Sequence, residues 1–458
     1  MNAPSAAPPQ QSGAESLEAR FLAPFENLRR AFPPAEAERR RRALERLRET
    51  GLPGPRDEDW RFTDLSPIWE LPFEPLGPEA AAGIPAPEAL ASLAPKEDEG
   101  PLLVFVDGVF MPELSRLETG AAGVRATSWS RLRAEDPERL LEAFGEDGQA
   151  ARNPFAALNE AYFQDGLFLE AEPGARLEAP IVALCLSRGA RRGAAAHLRH
   201  VIRAGPGSRL RVLEHYAALG PEPEFTNALS RVAVGEGAAV ELTRLQNAAA
   251  AAAHLGTVIA ELAKRGSLAA HSVALGARLS RQQLFPRLVG EEADCLLNGL
   301  YLTDGERTAD HFMVVDHIAP RCESREHFNG VLLDRSRGVF HGRILVRPQA
   351  QKTDARQTNK NLLLSEEARA HTKPQLEIYA DDVRCTHGAT VGRLSAEALF
   401  YLRSRGIGPE DARRFLVHAF AGEILERIGP PAVRDRIHRL VWERLAAADL
   451  NAVSGALD

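Results

Sequence analysis

Four short stretches in the middle of the 458-residue chain constrain its fold more than anything else in it. Gly174-Ala-Arg-Leu177, Gly207-Ser-Arg-Leu210 and Gly237-Ala-Ala-Val240 each place an apolar residue three after a glycine, and Gly266-Ser-Leu268 repeats the start in looser form. These starts lie 33, 30 and 29 residues apart and lead into brief alternating runs such as Leu210-Arg211-Val212 and Val240-Glu241-Leu242. A unit that short and that β-like cannot bury a face alone, so copies must stack and share one core. Parallel strands in a doubly wound sheet need helices between them, and none are written here, so the spacing predicts a β-solenoid. The six alanines at 248–253 are the one helix-like intrusion, or a loop expansion.

Around this core the texture changes. Residues 1–14 are Pro, Ala, Ser and Gln and are expected to be a disordered tail. A mixed, mainly helical region with a linker follows over 15–160, the β-helix core over 161–393, and a C-terminal helical domain over 394–458. The N-terminal region opens with a charged helix over Glu15–Thr50, with Leu44 and Leu47 at helical spacing. It then carries Asp59-Trp60-Arg61-Phe62-Thr63-Asp64-Leu65, whose two aromatics suit one face of an extended segment that packs. At the other end, Gly408-Pro409-Glu410-Asp411 is a helix start with Pro in the first turn, and Phe415, Leu416, Ala419, Phe420, Ile424 and Ile428 recur at three and four. Phe415, Leu416, Phe420 and Ile424 are therefore candidate anchors for a partner protein.

Composition removes several classes of function. There are 56 basic and 63 acidic side chains, net charge -7, so nothing selects for nucleic acid. The abundance of Arg over Lys reads as codon bias rather than as a set of anion sites. The first residues have neither a basic nor an apolar signal region, no run approaches a membrane span, and a cytoplasmic protein is expected. Neither a GxxxxGK[ST] loop nor a strand-GxGxxG-helix unit occurs, so the chain itself is expected to bind no nucleotide.

Residues that could carry chemistry are few. Cys185, Cys295, Cys322 and Cys385 are far apart and include no CxxC pair, so no disulfide framework, zinc template or ferredoxin-type cradle is written locally. His311, His317, Cys322, His327 and His341 form a scatter that matches no template and reads as surface histidines. Asp381 and Asp382 are adjacent, so on a strand they point to opposite faces and cannot flank one glycosidic bond together. Cys385 and His387 are two apart and would share a strand face. Read alone, that pair is either half of a soft site for iron or copper or a buried thiol beside a hydrogen-bonded ring. Asn359 and Asn361 alternate as stacked amides within a coil do.

Taken together, Lys352-Thr353-Asp354, Gln357-Thr358-Asn359-Lys360-Asn361-Leu362-Leu363-Leu364, the run from Thr372 to Gly392 containing Cys385-Thr386-His387-Gly388-Ala389-Thr390, and Phe400-Tyr401-Leu402-Arg403-Ser404-Arg405-Gly406-Ile407 resemble the SufB/SufD family of iron-sulfur cluster assembly scaffold proteins. Cys322-Glu323-Ser324-Arg325 and Val339-Phe340-His341-Gly342 extend the resemblance upstream, and the Asp59–Leu65 stretch resembles the family's N-terminal aromatic motif. His387-Gly388-Ala389, where the SufB branch typically has His-Glu-Ala, places the likeness in the SufD branch.

The resemblance implies a right-handed parallel β-helix between helical ends. It further implies a non-catalytic scaffold subunit that pairs with a SufB-like paralogue through its β-helix and docks a SufC-like ATPase through its C-terminal helices. Under it, His387 and secondarily Cys385 become ligands toward a nascent cluster or iron at the SufB interface, with no cofactor held tightly by the isolated chain. Two rivals are a purely architectural subunit without a metal ligand and, remotely, a carbohydrate-active β-solenoid.

Overall fold

The computed structural model describes residues 18–54, 56–77, 90, 93, 100–145 and 153–448, so the expected disordered tail over 1–14 lies outside the described residues. From Ala194 onward most strands are about ten residues long, and they go alternately to two sheets. The first sheet stacks Leu167–Ala171, Ala194–Ala204, Phe225–Val234, Ala253–Leu262, Leu279–Leu288, Thr308–His317, Arg337–Val346 and Arg369–Ile378. The second stacks Leu102–Val106, Ile181–Ser187, Arg209–Ala218, Ala239–Asn247, Ser267–Ala274, Asp294–Thr303, Glu323–Leu332, Asp354–Leu363 and Arg384–Gly392. Neighbours along each stack pair in parallel, making a β-solenoid of about 8 turns. The strand Leu102–Val106 belongs to the second sheet although it precedes residue 161 in the chain.

The alternating runs read from the sequence supply the core. In register, Leu210, Val240, Leu268 and Cys295 form one inward column, and Val212, Leu242, Ala270 and Leu297 form the next. The residues between them, such as Arg211 and Glu241, point outward, as the period of two requires.

One corner explains the glycine period and where it stops. Gly174, Gly207 and Gly237 have φ of 74°, 69° and 64°, and the same corner in later coils is made by Arg265, Glu292, Arg321 and Lys352 at 53°, 60°, 59° and 62°. The corner of the fourth coil is thus Arg265, not the Gly266 at which the sequence repeat was counted. Each corner N–H donates to the next coil: Gly207 to the Glu236 carbonyl (2.8 Å), Gly237 to Lys264 (2.9 Å), Arg265 to Glu291 (2.8 Å) and Arg321 to Gln351 (2.9 Å). A ladder bond of this kind helps offset the roughly 1–2 kcal/mol that a side chain costs in the left-handed region.

The alanine run is a turn between strands. Ala252 N–H donates to the Ala249 carbonyl at 3.0 Å, and Ala253 already starts a strand.

Helices clothe the two outer faces. On the first sheet lie Ala23–Leu28, Pro34–Thr50 and Pro154–Tyr162, with Phe21, Phe25, Leu44, Leu47, Phe155 and Tyr162 in one buried cluster. The long charged helix expected over Glu15–Thr50 is broken before Pro34, because Pro33-Pro34 cannot continue a helix. The aromatic motif does not run extended: Glu58–Trp60 is a 3₁₀ turn, so Trp60 is buried while Phe62 is exposed and stacks on His371 at 4.7 Å. Arg281 lies 3.7 Å over the Trp60 ring, and its guanidinium is held by Asp310, Thr63 and the Asp59 carbonyl. That buried cluster fastens the N-terminal region to the solenoid.

Ala396–Ser404, Pro409–Leu425 and Pro431–Ala447 make up the C-terminal helices. Val417, Ala421, Ile424, Leu425, Ile428, Val433, Ile437, Val441 and Leu445 bury a stripe at helical spacing against Leu213, Leu245, Val273, Leu300 and Val331 of the second sheet. Asn298 donates to the Ile424 carbonyl and Asn329 to that of Phe420, each at 2.9 Å, which fixes the first long helix across the strands.

Candidate functional site

The two strands that end the solenoid, Arg369–Ile378 and Arg384–Gly392, each have one neighbour and one free edge among the described residues. The C-terminal helices cover the side of the coil and leave this end open. A row of unpaired backbone N–H and C=O groups is a ready template for another strand, and folded chains usually cover or break it.

The inward face of this last rung follows from its register. Cys385, His387, Ala389 and Val391 stand above Ala355, Gln357, Asn359 and Asn361, which are at most 4% exposed. Cys385 and His387 therefore share one face, as their spacing requires. Their surroundings differ. Cys385 is half-buried against a cluster of Ile344, Val346, Ala350, Ala355 and Ala380, and burial pushes its thiol up from the usual range. His387 is exposed.

The rung beneath is a polar network. Tyr301 donates to Asn361 Oδ1 (2.6 Å), Asn361 Nδ2 to Asn359 Oδ1 (2.7 Å), and Asn359 Nδ2 to the Tyr301 hydroxyl oxygen (3.1 Å). The two asparagines are thus mutually satisfied. One column over, Gln357 Nε2 donates to the carboxyl of Glu326, whose pKa burial pushes up to about 8.

The other candidates separate on geometry. Asp381 and Asp382 are exposed turn residues between the last two strands, with Asp382 held by Lys352 and Gln351, so they line no sugar cleft. His311, His317 and His341, read as surface histidines, are buried, as is Cys322, while His327 is half-buried: His311 bonds Ser272 (3.1 Å), His317 bonds Ser324 (3.0 Å), and His341 bonds Gln375 on the outer face. Period-two alternation sends His311 and His317 into a coil interior that accepts polar side chains when a hydroxyl stands across the lumen. Among the described residues no three or more His, Cys, Asp or Glu side chains gather to hold a metal ion.

The C-terminal anchors divide likewise. Ile424 is 2% exposed and faces the solenoid, so it is not on an outer face. Leu416 and Phe420 are half-buried. Phe415 is 47% exposed, with the equally outward Trp442 ring 6.0 Å away and His418 against that Trp. The exposure of Trp442 follows from Val441 and Leu445 taking the inward positions on its helix. Phe400 and Tyr401, on the short helix beyond the open strand, are 69% and 56% exposed.

The model of the "SUF system FeS cluster assembly, SufBD core domain" matches residues 186–420, and that of the "SufBD protein N-terminal region" matches residues 21–182. The chain belongs to the SufBD family. It is 32% identical over 418 residues to an iron-sulfur cluster assembly SufBD family protein of Synechocystis sp., covering 88% of this chain and 90% of that one. It is 31% identical over 404 residues to the iron-sulfur cluster assembly protein SufD of Escherichia coli, covering 88% and 91%. The SufD of Bacillus subtilis is 25% identical over 426 residues, covering 89% and 93%. The core match ends within the helix Pro409–Leu425 and so takes in the open end and its CTHGAT strand.

Proposed function

We propose that this chain is a scaffold subunit of an iron-sulfur cluster assembly complex, without catalytic chemistry of its own, and that its open solenoid end is where it meets a SufB-like paralogue. The observation that carries the reading is the uncapped edge strand Arg384–Gly392, with His387 exposed on its inward face. Strand addition onto that edge gives affinity through backbone hydrogen bonds and places the partner's side chains beside His387. The iron or nascent cluster is cargo at this seam. Imidazole from one side and thiolates from the other suit iron, and a site divided between chains needs one or two ligands from each. Cys385 is the lesser ligand, because its thiol is half-buried and held protonated.

In the same reading the outward side of the C-terminal helices docks a SufC-like ATPase, with Phe415 as the exposed anchor, Leu416 and Phe420 behind it, and Ile424 supporting the helix from within. A cytoplasmic location belongs to this proposal too.

A purely architectural role is favoured by the apolar packing of Cys385. Anaerobic purification of the chain together with its SufB-like and SufC-like partners separates the two. His387→Ala is expected to leave the complex assembled and to lower its iron and sulfide content severalfold; loading at the normal rate and yield removes the ligand role.

A further inference from the structure

The column that ends in His387 holds two more polar residues. Leu297, Glu326, Gln357 and His387 occupy one inward position on four successive rungs of the second sheet, each about 4.8 Å above the last. Glu326 and Gln357 are fully buried, at 0% and 1% exposure. The Gln357 amide is anchored through Nε2 on Glu326, while its carbonyl Oε1 is buried and has no hydrogen-bond partner. The neighbouring amides cannot take over its part, since Asn359 and Asn361 are engaged with Tyr301 and with each other.

A second feature makes room for this amide. A Cβ at Gly342 would come within 2.3 Å of Gln357 Nε2 and 2.8 Å of its Cδ. Gly342 closes the Val339-Phe340-His341-Gly342 stretch noted in the sequence, and its missing side chain is the space into which Gln357 projects. The structure thus sets aside volume for a glutamine whose carbonyl is left open, one rung below an exposed imidazole.

We propose that Gln357 is the positioning residue for His387: when a partner covers the open end, its side-chain carbonyl accepts the imidazole N–H and so selects which ring nitrogen faces the seam with a lone pair. A neutral imidazole has one N–H and one lone pair, and an acceptor on the first fixes the tautomer and orientation of the second. Ligating histidines generally have such a partner, and its loss costs about 10–100-fold in metal affinity. The inference rests on the reading of His387 as a ligand and adds the residue that prepares it. Glu326 holds the amide nitrogen, leaving the carbonyl as the free end.

The test uses the assembled complex with the partner chains, this chain carrying ¹⁵N-histidine, with His387 assigned by its loss in His387→Ala. Long-range ¹⁵N–¹H spectra report the tautomer directly, and ferrous iron titration reports affinity. The wild type is expected to show one tautomer. Gln357→Met, of similar volume and without an acceptor, is expected to show a mixture and an iron affinity about 10–100-fold weaker; because it also removes the hydrogen bond to buried Glu326, the melting temperature is expected to fall, and the tautomer is the readout that a merely structural role would not move. Gly342→Ala, which keeps the amide but displaces it, is expected to move the same two readouts in the same direction and covers the case in which Gln357→Met does not assemble. An unchanged tautomer and affinity in either assembled variant, while His387→Ala still abolishes loading, overturns the positioning role and leaves the ligand reading standing. Normal loading by His387→Ala overturns the ligand reading instead, and the tautomer spectra then decide the hydrogen bond by themselves.

Discussion

The two ends of the solenoid are built to opposite rules. At the first, Leu102–Val106 is buried along its whole length, turns back antiparallel into Val109–Phe110, and puts Leu103 and Phe105 with Phe110 and Ala126 in the main core. Val124–Ser128 closes the other sheet in the same antiparallel manner. At the last, all residues of Arg384–Gly392 but Cys385 are exposed, and no strand or helix among the described residues closes the edge. A coil that needed only to be stable would close both ends, as repeat proteins do. One closed end and one open end make a surface for strand pairing.

Buried carboxylates carry the same contrast. Glu214, in an early coil, would be raised by burial, but Arg244, His200, Ser230 and Tyr216 bring it below its usual range. Glu326, two rungs from the open end, has Gln357 alone against the same burial and is raised.

Truncation should show the difference most strongly. Phe105→Ala at the closed end is expected to cost about 3–5 kcal/mol in urea unfolding, whereas Val391→Ala, 49% exposed at the open end, should stay within about 0.5 kcal/mol. Equal losses at the two positions would show that the last rung is covered in the isolated chain.

A proline separates the edge from the fold. Arg384 N–H donates to the Thr353 carbonyl, so in this parallel pair the alternate residues Cys385, His387 and Ala389 direct their N–H groups to the free edge. Ala389→Pro should leave the chain's own ladder intact and weaken pairing with the SufB-like partner about 100-fold or more, read by analytical ultracentrifugation. Full affinity in this variant would place the contact elsewhere.

A smaller effect comes from pH. The Glu326 carboxyl, raised in the folded state, stays protonated when the unfolded chain has already lost its proton. Its contribution therefore falls as pH rises from about 5 to about 8, by at most about 1.4 kcal/mol per unit. Glu326→Gln should remove that slope, so the stability gap between variant and wild type widens toward pH 8. For Glu214 the sign reverses: its contribution is present above its unfolded value and is lost in acid. Smallest in stability terms is Phe415→Ala, expected to weaken ATPase docking about tenfold with an unchanged melting temperature; loss of stability instead would make Phe415 an internal packing residue.

The repeat was legible in the sequence as far as glycine marks it. Gly174, Gly207 and Gly237 stand out because their corner needs positive φ, and the signal vanishes at Arg265, Glu292, Arg321 and Lys352 although the corner persists. The shared face of Cys385 and His387 followed from strand periodicity. What the sequence could not convey was three-dimensional cover: that His311 and His317 enter the lumen, that Ile424 turns inward while Phe415 turns out, and that Gln357 finds its space opposite a glycine fifteen residues earlier in the chain.

The corner ladder also gives the coil a direction of release. Each corner amide is held by the coil that follows it, down to Lys352 N–H on the Asp382 carbonyl at 2.6 Å, after which no further coil follows among the described residues. Such a stack behaves as a zipper with its slider parked at one end. Opening is expected to begin at Arg384–Gly392 and travel toward the closed end, so hydrogen exchange should be fastest in the last coil and slow progressively toward Leu102–Val106. A partner strand seated on that edge would act as the clasp for the whole coil, which ties the lifetime of the folded subunit to the time it spends assembled.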